Sequence, residues 1–125
     1  MNLPKKLKYT EEHEWLKNEE DLFIVGITDY AQGELGDIVF VELPVVDDKF
    51  DKSEPFGTVE AVKTVSDLYM PISGTVVEIN TLLEDNPDLI NTDPYGEGWI
   101  IKFKANKNDD IKILLDSEQY KKIIS

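Results

Sequence analysis

Gly36-Asp37-Ile38-Val39-Phe40-Val41-Glu42 and Gly74-Thr75-Val76-Val77-Glu78-Ile79-Asn80 are two glycine-led, β-branched runs that echo each other at an offset of 38 residues. A second pair, Glu54-Pro55-Phe56-Gly57 and Asp93-Pro94-Tyr95-Gly96, repeats at an offset of 39 residues, nearly in register with the first. Each unit therefore reads as a glycine, a strand, a connection, an acidic-Pro-aromatic-Gly motif and a further strand. Agreement in both motifs indicates an internal duplication. A duplicated all-β unit of this length predicts a sandwich or flattened barrel with quasi-two-fold symmetry.

The segment joining the two units is Glu60-Ala61-Val62-Lys63-Thr64-Val65-Ser66-Asp67. It is flanked by the strand-like runs Gly57 to Val62 and Val65 to Met70. Val62-Lys63-Thr64-Val65 contains no Gly, Asn or Pro, so propensity alone runs one strand straight through it. Lys63 is the only lysine between Lys52 and Lys102. It reads either as a solvent-facing lysine on a half-buried strand or as a lysine held out for covalent modification. Connectors between symmetry-related halves lie at the surface, which suits both.

The rest of the chain surrounds this frame. Lys8 to Lys17 reads as one extended run, with Glu12 and Glu14 on one face and His13 and Trp15 on the other. His13 is read there as a packed, hydrogen-bonded histidine beside Trp15. Leu22 to Ile27 is a strand. Thr28 is a candidate N-cap, followed by a short helix over Tyr30 to Leu35 with Gly36 as its stop. Asp37 to Leu43 is a strand ended by Pro44, and Val46 to Ser53 is a charged loop. A helical turn near 81–90 places Leu82, Leu83, Leu89 and Ile90 in the core. Trp99 to Phe103 is a strand. Asp109 to Leu115 and Ser117 to Ile124 are amphipathic, with Ser117 as N-cap and Tyr120, Ile123 and Ile124 as an apolar stripe docking on the sandwich.

Composition excludes more than it assigns. The 125 residues suit one domain, with a core over about 7–104 and a C-terminal helical segment over about 109–124. Asp+Glu number 26 against 13 lysines and no arginine, for a formal charge of -13. Such a chain repels phosphate backbones and anionic membranes and suits docking to basic patches on proteins. There is no cysteine and a single histidine, His13, which removes disulfides, thiol nucleophiles and multi-His metal sites. No Gly-rich phosphate loop occurs, and no one carboxylate pair stands out as a glycosidase pair. The residues describe a domain with little chemistry of its own. It binds a partner, or carries a group for enzymes that have the chemistry.

The segments Tyr9-Thr10, His13-Glu14-Trp15, Val25 to Gln32, Leu35 to Pro44, Val59-Glu60-Ala61-Val62-Lys63, Val65 to Tyr69, Pro71, Ser73-Gly74 and Asn91 to Trp99, in this order and spacing, resemble the glycine cleavage system H protein family. The resemblance covers about Leu7 to Tyr120. It implies a mainly β, lipoyl-domain-like sandwich (a barrel-sandwich hybrid) with short helices. It also implies a non-catalytic carrier with lipoate attached as an amide on Lys63 at a hairpin tip. Glu60 and Gly74 match positions read by the attaching enzyme, a lipoate ligase or octanoyltransferase. Val62 and Thr64 stand where biotin carriers have methionines, which favours lipoyl over biotinyl.

The partners implied are a pyridoxal-phosphate glycine decarboxylase, a tetrahydrofolate-dependent aminomethyltransferase and dihydrolipoyl dehydrogenase. The carrier would pass an aminomethyl group between the first two and its dithiol to the third. A carrier that relays lipoyl or octanoyl groups to other lipoyl domains is the alternative. The resemblance places Glu14 and Asp67 against the loaded arm, with Glu12 a third candidate. A monomer is expected, cytoplasmic if bacterial and in the mitochondrial matrix if a mature eukaryotic form. The family carries glycines in the loop after Pro44 where this chain has Asp47 and Ser53, both turn-compatible.

Overall fold

Alternating apolar residues decide how the strands stack. In the computed structural model, which describes residues 2–125, nine strands form two antiparallel sheets. The strands are β1 (Lys8–Tyr9), β2 (Glu14–Glu19), β3 (Leu22–Ile27), β4 (Ile38–Glu42), β5 (Lys49–Phe50), β6 (Pro55–Ala61), β7 (Val65–Tyr69), β8 (Gly74–Ile79) and β9 (Ile101–Ala105). One sheet has the order β1-β2-β3-β9-β8-β5 and the other β4-β6-β7. The helices are α1 (Asp29–Leu35), α2 (Leu82–Asp85), α3 (Leu89–Thr92) and α4 (Ser117–Ile124), with a 3-10 turn at Asn108–Ile113.

The repeat has a structural counterpart. Glycine-led β4 pairs with β6, and glycine-led β8 pairs with β9, each with the strand that closes its own unit. The second motif diverges, since Pro55 opens a strand whereas Pro94 lies in the turns before β9.

The six-stranded sheet buries both faces. Leu16, Phe23, Val25, Ile101 and Phe103 join Val41, Val59 and Leu68 of the smaller sheet in the main core. Their sequence neighbours Trp15 and Ile24 point the other way, into a second cluster with Leu7, Tyr9 and Tyr120. That is the period of two expected of a strand. Helix α4 covers the second cluster. At eight residues it is too short to persist alone. Burial of Tyr120, worth about 2 kcal/mol, and a capping box between Asp116 and Gln119 hold it.

Several sequence expectations are corrected. The run Lys8 to Lys17 is broken by a turn in which His13 takes φ 68°, so β1 and β2 are separate and Glu12 shares no strand face with Glu14. His13 packs on Tyr30 and Tyr120 and not beside Trp15. The loop over Val46 to Ser53 includes β5, paired to β8. Strand β9 starts at Ile101, after the turns over Pro94 to Gly98. Leu82 is 50% exposed, because α2 turns Leu83 inward instead. Asp116, not Ser117, is the N-cap of α4, since its side chain reaches Gln119 N. Ile123 faces outward, leaving Tyr120 and Ile124 as the docking contacts of the stripe. Thr28 caps α1 through Ala31 N and Gly36 ends it, as expected. Asp47 and Ser53 take φ 80° and 71°, so the loop keeps the left-handed geometry without glycine.

Candidate functional site

β6 and β7 form a hairpin paired as far as Glu60 and Val65, and Ala61 N–H donates to Thr64 O at 2.7 Å across its end. Lys63 stands exposed at the tip. The straight strand that propensity favours is replaced by a turn, and tertiary contacts supply the reason. Val62 N–H donates to Asp37 O at 3.1 Å, tying the tip to the junction of α1 and β4. That junction is cross-braced by Asn91 from α3. Its Nδ2 donates to Gly36 O at 2.9 Å and Gln32 Oε1 at 3.0 Å, and its Oδ1 accepts from Ile38 N–H at 2.9 Å.

Gly36 has φ 82°, a conformation that favours glycine. A Cβ at this position would lie 3.2 Å from Lys63 Cε. The missing side chain thus leaves room for the end of the lysine side chain, whose Nζ would lie 3.8 Å from the same Cβ, on an exposed residue. Val39, the extra residue in β4 opposite β6, makes a bulge beside the tip.

Glu60 is exposed on the outer face of the small sheet, between Phe40 and Val65 in cross-strand register. Gly74 lies in the other sheet and is buried. A Cβ there would come within 2.5 Å of Phe103 and 2.6 Å of Lys104 O, so close packing on β9 accounts for the glycine.

Glu12, Glu14 and Asp67 come together. They line one cavity of about 220 Å³ with His13, Tyr30 and Glu34. The cavity runs between α1, β7 and the turn before β2. It approaches the hairpin tip at Leu35, the neighbour of Gly36, and at Ser66. A hollow of about 260 Å³ shares Glu12 and Glu14 but lies at the far end of β7, among Met70, Pro71, Lys52 and Leu115. Asp67 and Glu12 are exposed at the rim.

Glu14 is only 2% exposed. Its Oε2 accepts from Tyr69 N–H at 2.7 Å, and Thr10 Oγ1 is 3.2 Å from its Oε1. Burial pushes its carboxyl up to about 8, against the opposing pull of those two hydrogen bonds. The group therefore holds its proton at neutral pH. His13 is moved the other way, held below the ordinary imidazole range by burial, with Glu12 and Glu34 opposing.

Sequence reasoning missed Asn91, Gly36 and the cavity wall of Tyr30 and Glu34. Asn91 stood in the segments that carried the family resemblance only as a motif letter, and Gly36 was read as a helix stop and the head of a repeat unit, not as the neighbour of Lys63. Their partners are distant in the chain.

The family profile "Glycine cleavage H-protein" matches residues 7–125. The chain is similar to the glycine cleavage system H protein of Bacteroides fragilis, 54% identical over 125 residues, covering 100% of this chain and 99% of that one. It is 56% identical over 124 residues to the glycine cleavage system H protein of Staphylococcus carnosus, covering 99% and 98%. The crystal structure of a glycine cleavage system H protein from Mycobacterium marinum superposes with a TM-score of 0.87 at 40% identity, covering 94% of this chain and 95% of that one.

Proposed function

This chain belongs to the glycine cleavage H-protein family, a carrier component of that system, and on that premise we propose that Lys63 is the residue that bears lipoate. The observation that carries the reading is a lone exposed lysine on a pinned hairpin, its side-chain end close to Gly36, beside a cavity lined by carboxyl groups. Lipoate on Lys63 would supply a disulfide that opens to take up a one-carbon amine and returns as a dithiol. Glycine decarboxylase would load it, the tetrahydrofolate-dependent aminomethyltransferase unload it and dihydrolipoyl dehydrogenase reoxidise it. The chain itself does no chemistry on glycine. The relatives named above are bacterial, which supports a cytoplasmic setting.

The residues of the cavity have a defined task in this reading. An aminomethyl group on sulfur decays when the amine lone pair expels the thiolate and water captures the carbon. Holding the amine as ammonium removes that lone pair. Glu14 enters the encounter carrying a proton of its own. A neutral amine arriving beside it can take that proton, leaving a buried ammonium–carboxylate pair that titrates as a unit. Asp67 and Glu12 at the rim favour the cation further, and the walls keep bulk water out. Glu60 would be read by the lipoate-attaching enzyme. Gly74 would contribute through close backbone packing.

Peptide mass mapping after incubation with a lipoate ligase tests the attachment site. Lipoyl mass is expected on Lys63 alone and on no residue in Lys63→Arg; modification surviving in that variant ends the assignment. Glu60→Ala should be acylated much more slowly while its stability stays within about 0.5 kcal/mol of wild type, as exposed substitutions do. Acylation at the wild-type rate would remove Glu60 from the recognition surface.

A further inference from the structure

Tyr120 is fully buried, yet its hydroxyl meets two polar groups from distant parts of the chain. It lies 2.8 Å from His13 Nδ1 and 2.8 Å from Thr28 Oγ1. Its ring stacks on Tyr9 at 4.9 Å with the planes 8° apart, so the hydroxyl has little freedom to swing. Thr28 is also fully buried, and its Oγ1 already accepts from Ala31 N–H as the cap of α1.

The proton directions follow from this inventory. The Thr28 hydroxyl has one proton to give, and among the described residues only Tyr120 oxygen is placed to accept it. Tyr120 must then give its own proton to His13 Nδ1, so the imidazole proton sits on Nε2. The opposite direction would have Nδ1–H donate to Tyr120 and Tyr120 to Thr28. That strands the Thr28 proton in a dry interior, which folded chains avoid. An imidazolium forces that same opposite direction, because both its nitrogens are donors.

His13 lines the cavity that holds Glu14. The groups facing it are Glu12 on its own turn, Glu14 at the start of β2, Tyr30 and Glu34 on α1, Asp67 on β7 and Tyr120 on α4. An imidazolium among these carboxyl groups would compete with an amine guest for the same negative charge.

We propose that Tyr120 is a positioning residue for this cavity: its hydroxyl, oriented by Thr28, clamps His13 as the neutral Nε2–H imidazole and so keeps the carboxyl groups available to a cationic guest. The proposal rests on the carrier reading for its purpose, but not for its geometry. Burial pushes the Tyr120 hydroxyl up to about 12, so it retains the proton that it must donate. The last helix of the chain thereby acts on the cavity without lining it.

His13 is the only histidine in the sequence, so imidazole nitrogen NMR on the tag-free, unlipoylated protein reports this one ring. At pH 7 the expected spectrum has an unprotonated Nδ1 and a protonated Nε2, with a titration midpoint below that of a free histidine. Tyr120→Phe keeps the stack on Tyr9 and removes only the hydroxyl. Its midpoint should rise by about one unit, a tenfold change in imidazolium at a given pH, and the two tautomers should average. A proton on Nδ1 in the wild type, or an unchanged ring in Tyr120→Phe, overturns the clamp; the wild-type spectrum decides this even if the variant misfolds. In protein loaded with the one-carbon amine, Tyr120→Phe should release formaldehyde faster than wild type at pH 6 and lose that difference by pH 8. Equal release at pH 6 overturns the role in the cavity. Neither outcome bears on Lys63, whose acylation is read separately by mass.

Discussion

Glu14 is where sequence and environment pull hardest against each other. A glutamate at the start of a strand is ordinarily solvated, yet here it is buried between α1 and β7 with Tyr69 N–H and the Thr10 hydroxyl on its oxygens. On the proposed carrier reading, its raised pKa would make it a proton donor to an incoming amine, whereas Asp67 would act from the exposed rim. The two therefore differ in what their neutral isosteres should do. Glu14→Gln removes the transferable proton and should raise formaldehyde release from the loaded protein on the order of tenfold, equivalent to about 1.4 kcal/mol of protection. Asp67→Asn should raise it less, because exposed charges interact weakly. Both variants should still be lipoylated. Unchanged release in both singles and in the double variant would show that these groups do not guard the amine.

At the scale of elements, the hairpin and the α1–β4 junction form one unit. The tip is a turn because Asp37 O holds Val62 N–H, and Asp37 is in place because Asn91 joins Gly36 O to Ile38 N–H. Asn91→Ala leaves Ile38 N–H and Gly36 O without their side-chain partner, at about 1–3 kcal/mol for each such group once buried. A loss of roughly 2 kcal/mol in urea unfolding is expected, with faster hydrogen exchange at Ile38 and Val62. Wild-type exchange at both amides would show that α3 does not support the tip. The α4 helix relies likewise on a cap and one buried ring.

Across the whole molecule, Glu14 and His13 impose opposite pH dependences on stability. Below about pH 4.5 the Glu14 carboxyl is protonated in both states and costs nothing. Above that the unfolded chain sheds the proton while the folded protein keeps it until about pH 8, so folding takes up a proton and stability falls through that window. His13, lowered on folding, does the reverse. The unfolded chain binds its proton below about 6.5, so stability rises as pH rises toward that value. At roughly 1.4 kcal/mol per unit, the Glu14 contribution reaches several kcal/mol by pH 8. Glu14→Gln should therefore be more stable than wild type at pH 8 by about 1–3 kcal/mol and little different at pH 5, read as urea midpoints. A variant less stable than wild type at pH 8 would show that the carboxyl, and not its burial, is what the fold requires.

The repeat of Gly36–Glu42 in Gly74–Asn80 was legible by comparing the chain with itself, and the caps of α1 because each depends on neighbours within a few residues. So was the isolation of Lys63. Its turn was not legible, since Val62-Lys63-Thr64-Val65 is strand-forming and is held bent by the carbonyl of Asp37, in a junction that Asn91 of α3 braces. The break at His13 was hidden for the same reason: its carbonyl accepts from Thr28 N–H and its ring is held by Tyr120, 107 residues away. Local propensity sets which residues extend or coil. Only the folded chain could bury Glu14 beside Asp67 and set Lys63 against Gly36, because charge state and bend there are decided by groups that sequence order keeps apart.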